Sequence, residues 1–195
     1  MEAGYDPATG RYEYPSDDMS TNYTPTYALF HGTIGYTVEC GENNEASVTM
    51  GKYGLIGHTA YVAENKNDLY LNQLEFFRRA LNNEESPETE KWFVTQDNQV
   101  EENFREKDEY GKFYPEYYVI PTDAASQRDI ADAYFMQEYF IRNGVQVEKL
   151  TQDVTVNGVT YKAGAFVIDM HQISRSFANA VLYKGKIAKN WTGLF

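Results

Sequence analysis

Residues 84–109 decide how the rest of this chain can fold. They hold ten acidic and three basic residues, a net of −7 out of the −12 carried by all 195 residues. So dense a run of like charge stays in water. It reads as a solvated connector with a short strand at 92–94 ("WFV"). On either side lie two apolar stretches, 1–83 and 110–195, and the domain boundary falls between them. The length allows one domain or two small ones. A hydrophobic content of 42% is enough to build a core.

The same charge narrows the partners. An acidic chain has no basic footprint for DNA or RNA, and an anionic membrane surface repels it. No apolar run approaches the roughly 18–20 residues of a membrane span. The opening "MEAGYDPATGRYEYPSDD" is too polar and acidic for a signal or transit peptide. A single cysteine, Cys40, excludes an internal disulfide framework and a multi-cysteine zinc site.

In the first stretch, residues 1–26 read as a loop, with Gly4, Pro7, Gly10, Pro15 and Pro25 and with Tyr5, Tyr12, Tyr14 and Tyr23 scattered through it. A loop this long is expected to pack on something. Residues 27–39 read as a strand, with Gly32 and Gly35 as soft points, and 41–51 as a polar connection. Leu55, Val62, Leu69, Leu74 and Leu81 fall at helical spacing over 55–81, and Asn82-Asn83 stops the helix.

In the second stretch, 117–120 is a short buried strand ended by Pro121. A helix spans 126–142, capped by Ser126 and stopped at Asn143-Gly144. Residues 145–150 form the next strand, so strand, helix and strand make a βαβ unit with parallel strands. Asn157-Gly158 signals a type I′ hairpin. Residues 163–170 form an apolar strand, and a last helix runs over 173–183, stopped by Gly185.

Chemistry is sparse. His31, His58 and His171 are isolated from one another, with no H-x-x-E or H-x-x-x-H pair to seat a metal. Cys40 lies beside Glu39, whose charge disfavours the thiolate, so an inert thiol is expected. Asp169, His171 and Ser174 crowd together, but a triad is defined in space and not by sequence proximity. "GKYGLIG" (51–57) has the wrong spacing for a phosphate loop and reads as a helix entry. Glu39 ends the 27–39 strand, where α/β folds place functional groups; on pattern alone it is a solvated carboxylate.

The stretch "YTPTYALFHGTIGYTVECG", with the helix "YGLIGHTAYVAENKNDL" that follows, resembles the C-terminal end of the catalytic domain of zinc metallocarboxypeptidases, the carboxypeptidase A/T-like family. It is most similar to the large bacterial members. "YPEYYVIPTD", "QRDIADAYFMQEYFIRNGVQVEKL" and "YKAGAFVIDMHQISRSFANAVLYKG" resemble the α/β domain that follows the peptidase domain there. The implied fold class is α/β: the end of a zinc-carboxypeptidase-type mixed sheet with a long helix (1–83), the acidic connector (84–109), and a small flavodoxin-like or amidotransferase-like β-α-β accessory domain (110–195). The resemblance makes Glu39 the general base and acid of peptide hydrolysis. It takes a proton from zinc-bound water and passes it to the leaving amine.

The family's zinc ligands, an H-x-x-E and a later His, and its carboxylate-gripping Arg are upstream elements that these 195 residues lack. Tyr14, Tyr23 and Tyr27 are all candidates for its substrate-capping Tyr. The chain is therefore expected to be the C-terminal piece of a peptidase, inactive alone. Its zinc and peptide substrate belong to the parent, its partner is the upstream part of the catalytic domain, and its exposed apolar surface favours self-association. The accessory half, with no Cys, is expected to be non-catalytic. Two rivals remain: an interaction module that binds through the Tyr-rich 5–27 loop, and an enzyme that uses Asp169, His171 and Ser174.

Overall fold

The computed structural model describes residues 5–6, 11–12, 21, 23–35, 37–38, 40–85 and 112–183. The expected strand at 92–94 and the stop at Gly185 lie outside them. The chain is a mixed α/β protein with small antiparallel sheets. Near the N-terminus, β1 (Tyr5–Asp6) and β2 (Arg11–Tyr12) form a short antiparallel ribbon.

The expected strand over 27–39 is not formed. Thr24–Phe30 is instead helix α1, with Pro25 in its first turn, where the missing N–H costs nothing. The helix ends in a Schellman motif: the Thr33 N–H donates to the Ala28 carbonyl at 2.9 Å and the Gly32 N–H to that of Leu29 at 3.0 Å. Gly32 sits at φ +78°, which glycine adopts without penalty. The described residues of 33–40 are neither helix nor strand. Apolar β-formers become a strand only beside a pairing partner, and no described strand pairs with them.

Helix α2 spans Glu45–Leu81, 37 residues and about 55 Å at 1.5 Å per residue. It starts ten residues before the sequence-based boundary, so 45–51 is helix and not connection. The reason is local: the Asn44 side chain accepts the Ser47 N–H at 3.0 Å, and Glu45 favours the positive end of the helix. Asn83, at φ +48°, closes its C-terminus with a second Schellman turn.

The three-stranded sheet combines β3 (Tyr117–Ile120), β4 (Glu148–Lys149) and β7 (Phe166–Asp169). Between α3 (Ile130–Arg142) and β7 come β4 and the hairpin of β5 (Val154–Val156) and β6 (Val159–Tyr161); α4 (Arg175–Leu182) ends the described chain. β7 lies between β3 and β4, antiparallel to both. β3 and β4 thus run parallel to each other, as expected of the β-α-β unit, with β7 inserted between them. The most apolar strand takes the central place, with Phe166 and Ile168 pointing into the core.

Other details follow the sequence closely. Val154 pairs with Tyr161 and Val156 with Val159 around Asn157-Gly158, both at positive φ, as a type I′ turn requires. Helix α3 starts at Asp129, which accepts the Ala131 N–H at 2.8 Å. Ser126 belongs to a turn around Asp123 instead. Gly144, at φ +77°, ends α3 in a third Schellman motif, with buried Val145 returning its N–H to the carbonyl of buried Phe140.

The core consists of Ile120, Phe140, Phe166, Ile168, Met170 and Phe177, with Phe30 of α1 packed against it. Among the described residues, α2 is fastened to the module just past its C-terminal end. Arg175, buried, donates to Asn83 Oδ1 at 3.2 Å and to the Glu84 carbonyl at 2.9 Å, with its guanidinium 4.0 Å from the Tyr114 ring centroid. Asn83 donates to the Pro115 carbonyl, and Glu85 accepts the Phe113 N–H.

Candidate functional site

Glu39, the candidate catalytic carboxylate, lies outside the described residues, as do Tyr14 and Tyr36. The residues leading to it are held by α1. A Cβ on Gly35 would come within 2.7 Å of the Pro25 carbonyl oxygen, so only glycine permits this approach. The Tyr23 hydroxyl and Thr37 Oγ1 are 2.6 Å apart. Gln73 of α2 donates to the Gly32 carbonyl at 2.8 Å. Past Glu39, the Cys40 thiol is exposed and faces the Ser47 carbonyl.

The three histidines are dispersed. His31 closes α1 against the end of α3. His58 sits midway along α2. His171 follows β7, with Nδ1 2.9 Å from Asp169 Oδ1 and Nε2 3.7 Å from Glu116 Oε2. Ser174 does not complete a triad there: it is buried and donates to the Gly144 carbonyl at 2.8 Å. Among the described residues, no group of three His, Cys, Asp or Glu side chains could hold a metal ion. These residues do not fit a zinc site.

Of the candidate capping tyrosines, Tyr23 is engaged with Thr37. Tyr27 donates to Asn143 Oδ1 at 3.0 Å, across to the end of α3. Both hydroxyls therefore tie α1 to its surroundings in this structure.

Charge gathers at the end of α2. Arg78 hydrogen bonds to Glu75 and Glu84, which holds both carboxyls below the usual glutamate range. On the far side of the module, the hydrogen bond from Lys162 holds Asp153 below the usual aspartate range, aided by the Ala163 N–H.

The surface feature that helical spacing alone did not reveal is the bareness of α2. Val48, Tyr53, Leu55, Ile56, Tyr61 and Val62 are each more than half exposed. Between residues 46 and 63 Lys52 is the only residue charged at neutral pH. Leu55, Ile56, Thr59, Ala60 and Ala63 line a shallow apolar depression on this face. The signal was present as three glycines, Gly51, Gly54 and Gly57, and a lack of charge on what would otherwise be a solvated helix. Large bare apolar faces mark interaction surfaces.

Scans against protein-family models, curated proteins and solved structures gave no match to this chain.

Proposed function

We propose that this chain supplies the closing elements of a zinc-carboxypeptidase-like catalytic unit, joined to an α/β module. Glu39 is its proton-carrying carboxylate, taking a proton from the attacking water and delivering it to the leaving amine of a peptide. The metal ligands come from an upstream part of the catalytic unit. The supporting observation is the set of bare apolar side chains that surrounds the charge-poor N-terminal part of α2. Three glycines, each costing roughly 1 kcal/mol relative to alanine, sit in a helix on whose N-terminal two-thirds the described residues pack little. Tertiary packing of an apolar face is what usually stabilises such a helix. In the resemblance, this helix belongs to the catalytic domain, whose remainder provides the cover.

Two measurements test the proposal. In the polypeptide that carries this chain together with an upstream H-x-x-E segment, Glu39→Gln lowers peptide hydrolysis by roughly 10²–10⁴-fold, the weight of a general acid–base group, with zinc content unchanged. Unaltered hydrolysis, or a coding sequence without an H-x-x-E upstream of Met1, overturns it. The isolated chain binds no stoichiometric zinc, and one tightly held zinc per chain contradicts the assignment.

A second reading is a non-catalytic interaction module that presents α2 and the Tyr-rich segment 5–27, whose last residues begin α1, to a protein partner. It is supported by the exposed apolar side chains along α2. Self-association through the α2 face is the simplest form of either reading, seen as a concentration-dependent mass.

A further inference from the structure

The joint between α1 and the α/β module contains a histidine whose two ring nitrogens both face carbonyl oxygens. His31, the C-cap of α1, places Nδ1 2.9 Å from the Tyr27 carbonyl and Nε2 3.2 Å from the Asn143 carbonyl. These two carbonyls sit at the C-terminal ends of α1 and α3, where helices leave acceptors unsatisfied. The ring is fixed between the Tyr27 ring, 4.4 Å between centroids, and the Phe177 ring, 5.1 Å.

A carbonyl only accepts, and a neutral imidazole has one N–H. The neutral ring therefore satisfies one carbonyl and turns a nitrogen lone pair toward the other. The imidazolium donates from both nitrogens. It also places positive charge at two helix C-termini, each carrying partial negative charge.

We propose that His31 is a proton-dependent clasp that fastens α1 to the end of α3. The groups facing the ring are the Tyr27 phenol from α1, the Asn143 amide and carbonyl from the end of α3, and Phe177 from α4. All are neutral at neutral pH. On α3, Arg142 is paired with Glu138, and the Asn143 amide is oriented by donating to the Tyr139 carbonyl at 2.8 Å. From α2, Gln73 and Phe77 approach at Gly32. Protonation thus tightens α1 on the module, and deprotonation releases one of the two bonds. Gly35 packs on Pro25 of α1 and Thr37 meets Tyr23 at its N-cap, so the clasp also sets where the segment leading to Glu39 begins. Only that last consequence rests on the proposed function.

The test is amide hydrogen exchange on the unaltered chain, corrected for intrinsic rates. Protection of the His31, Gly32 and Thr33 amides falls about tenfold from an acidic to an alkaline sample, by the weight of one hydrogen bond from a charged donor. The amides of β7 do not follow. His31→Gln, which gains no charge on acidification, flattens the profile. Nitrogen-15 spectra at the acidic end show both His31 ring nitrogens carrying protons that exchange slowly. Protection of α1 that ignores pH, a pH profile that persists in His31→Gln, or a slow N–H on only one ring nitrogen overturns the clasp. The spectra decide the matter even if the variant fails to hold α1, and none of these readouts depends on peptidase activity.

Discussion

Helix α2 and the 112–183 module draw on the same kinds of side chain and use them in opposite ways. In the module, Phe140, Ile168 and Phe177 are completely shielded from water. On α2, Leu55 is 71% exposed and Val48 70%. The module closes its core with a central strand, two helices and Phe30 from α1. Among the described residues, α2 is tied to the module near its C-terminal end, where Arg175 holds Asn83 and Glu84 just past the helix. A side chain's character therefore does not decide its fate. What decides it is whether a second layer arrives, and along α2 the described residues bring none beyond the C-terminal turns.

The largest effect separating the two regions is a pair of truncations. Phe177→Ala removes a fully buried ring that packs against Tyr27, His31 and Tyr139, and it costs about 3–5 kcal/mol in urea denaturation. Leu55→Ala in the isolated chain changes stability by less than about 0.5 kcal/mol. If the two costs are similar, α2 is covered in solution and the contrast breaks.

A smaller effect sharpens it. Gly51→Ala, Gly54→Ala and Gly57→Ala meet no atom within 4 Å. Each raises the stability of α2 by about 0.5–1 kcal/mol, read as helicity by circular dichroism on heating. In a complex that covers α2, the added methyls intrude on the interface and weaken assembly. A loss of helicity in the isolated chain would show that these glycines already lie against something.

The smallest effect is electrostatic. Glu75 and Glu84 are held below the ordinary glutamate value of 4.5 by hydrogen bonds from Arg78. Their contribution is present above that value and is lost as pH falls through the lowered folded-state values. Below about pH 4.5 the protection of the Glu84 amide, which donates to the Arg79 carbonyl, falls after correction for intrinsic exchange rates, whereas that of the Ile168 amide in the core does not. These groups are exposed, so about 0.5 M salt removes most of the difference. An undiminished effect in salt would mean that the end of α2 is shielded from solvent.

Local chemistry was the most legible part of the sequence. Asn143-Gly144, Asn157-Gly158 and Asn82-Asn83 each act within a few residues, and each turn forms where its residues call for it. The strand at 117–120 was equally plain, because Pro121 closes it. Pairing was not legible. Nothing in "FVID" states that it inserts between two strands that precede it, since that choice is made by long-range burial of Phe166 and Ile168. The 24–30 helix was misread for the same reason: Ile34, Tyr36 and Val38 suggest a strand, but a strand needs a neighbour. Of the candidate site, Glu39 was marked by resemblance and lies outside the described residues. His31 looked like an ordinary lone histidine, because its second carbonyl belongs to a residue 112 positions away.

The fastening at Asn83 and Glu85 has one more consequence. Asn83 reaches Pro115 and Glu85 reaches Phe113, so the residues flanking 86–111 are held together. The two described ends of that segment therefore meet at one place. Once the two ends of a loop are held together, each doubling of its length costs only about 0.6 kcal/mol. Sequence can therefore be inserted or removed there with little disturbance to the helix on one side or the sheet on the other, which makes this junction the natural place to graft a tag, a probe or a second domain.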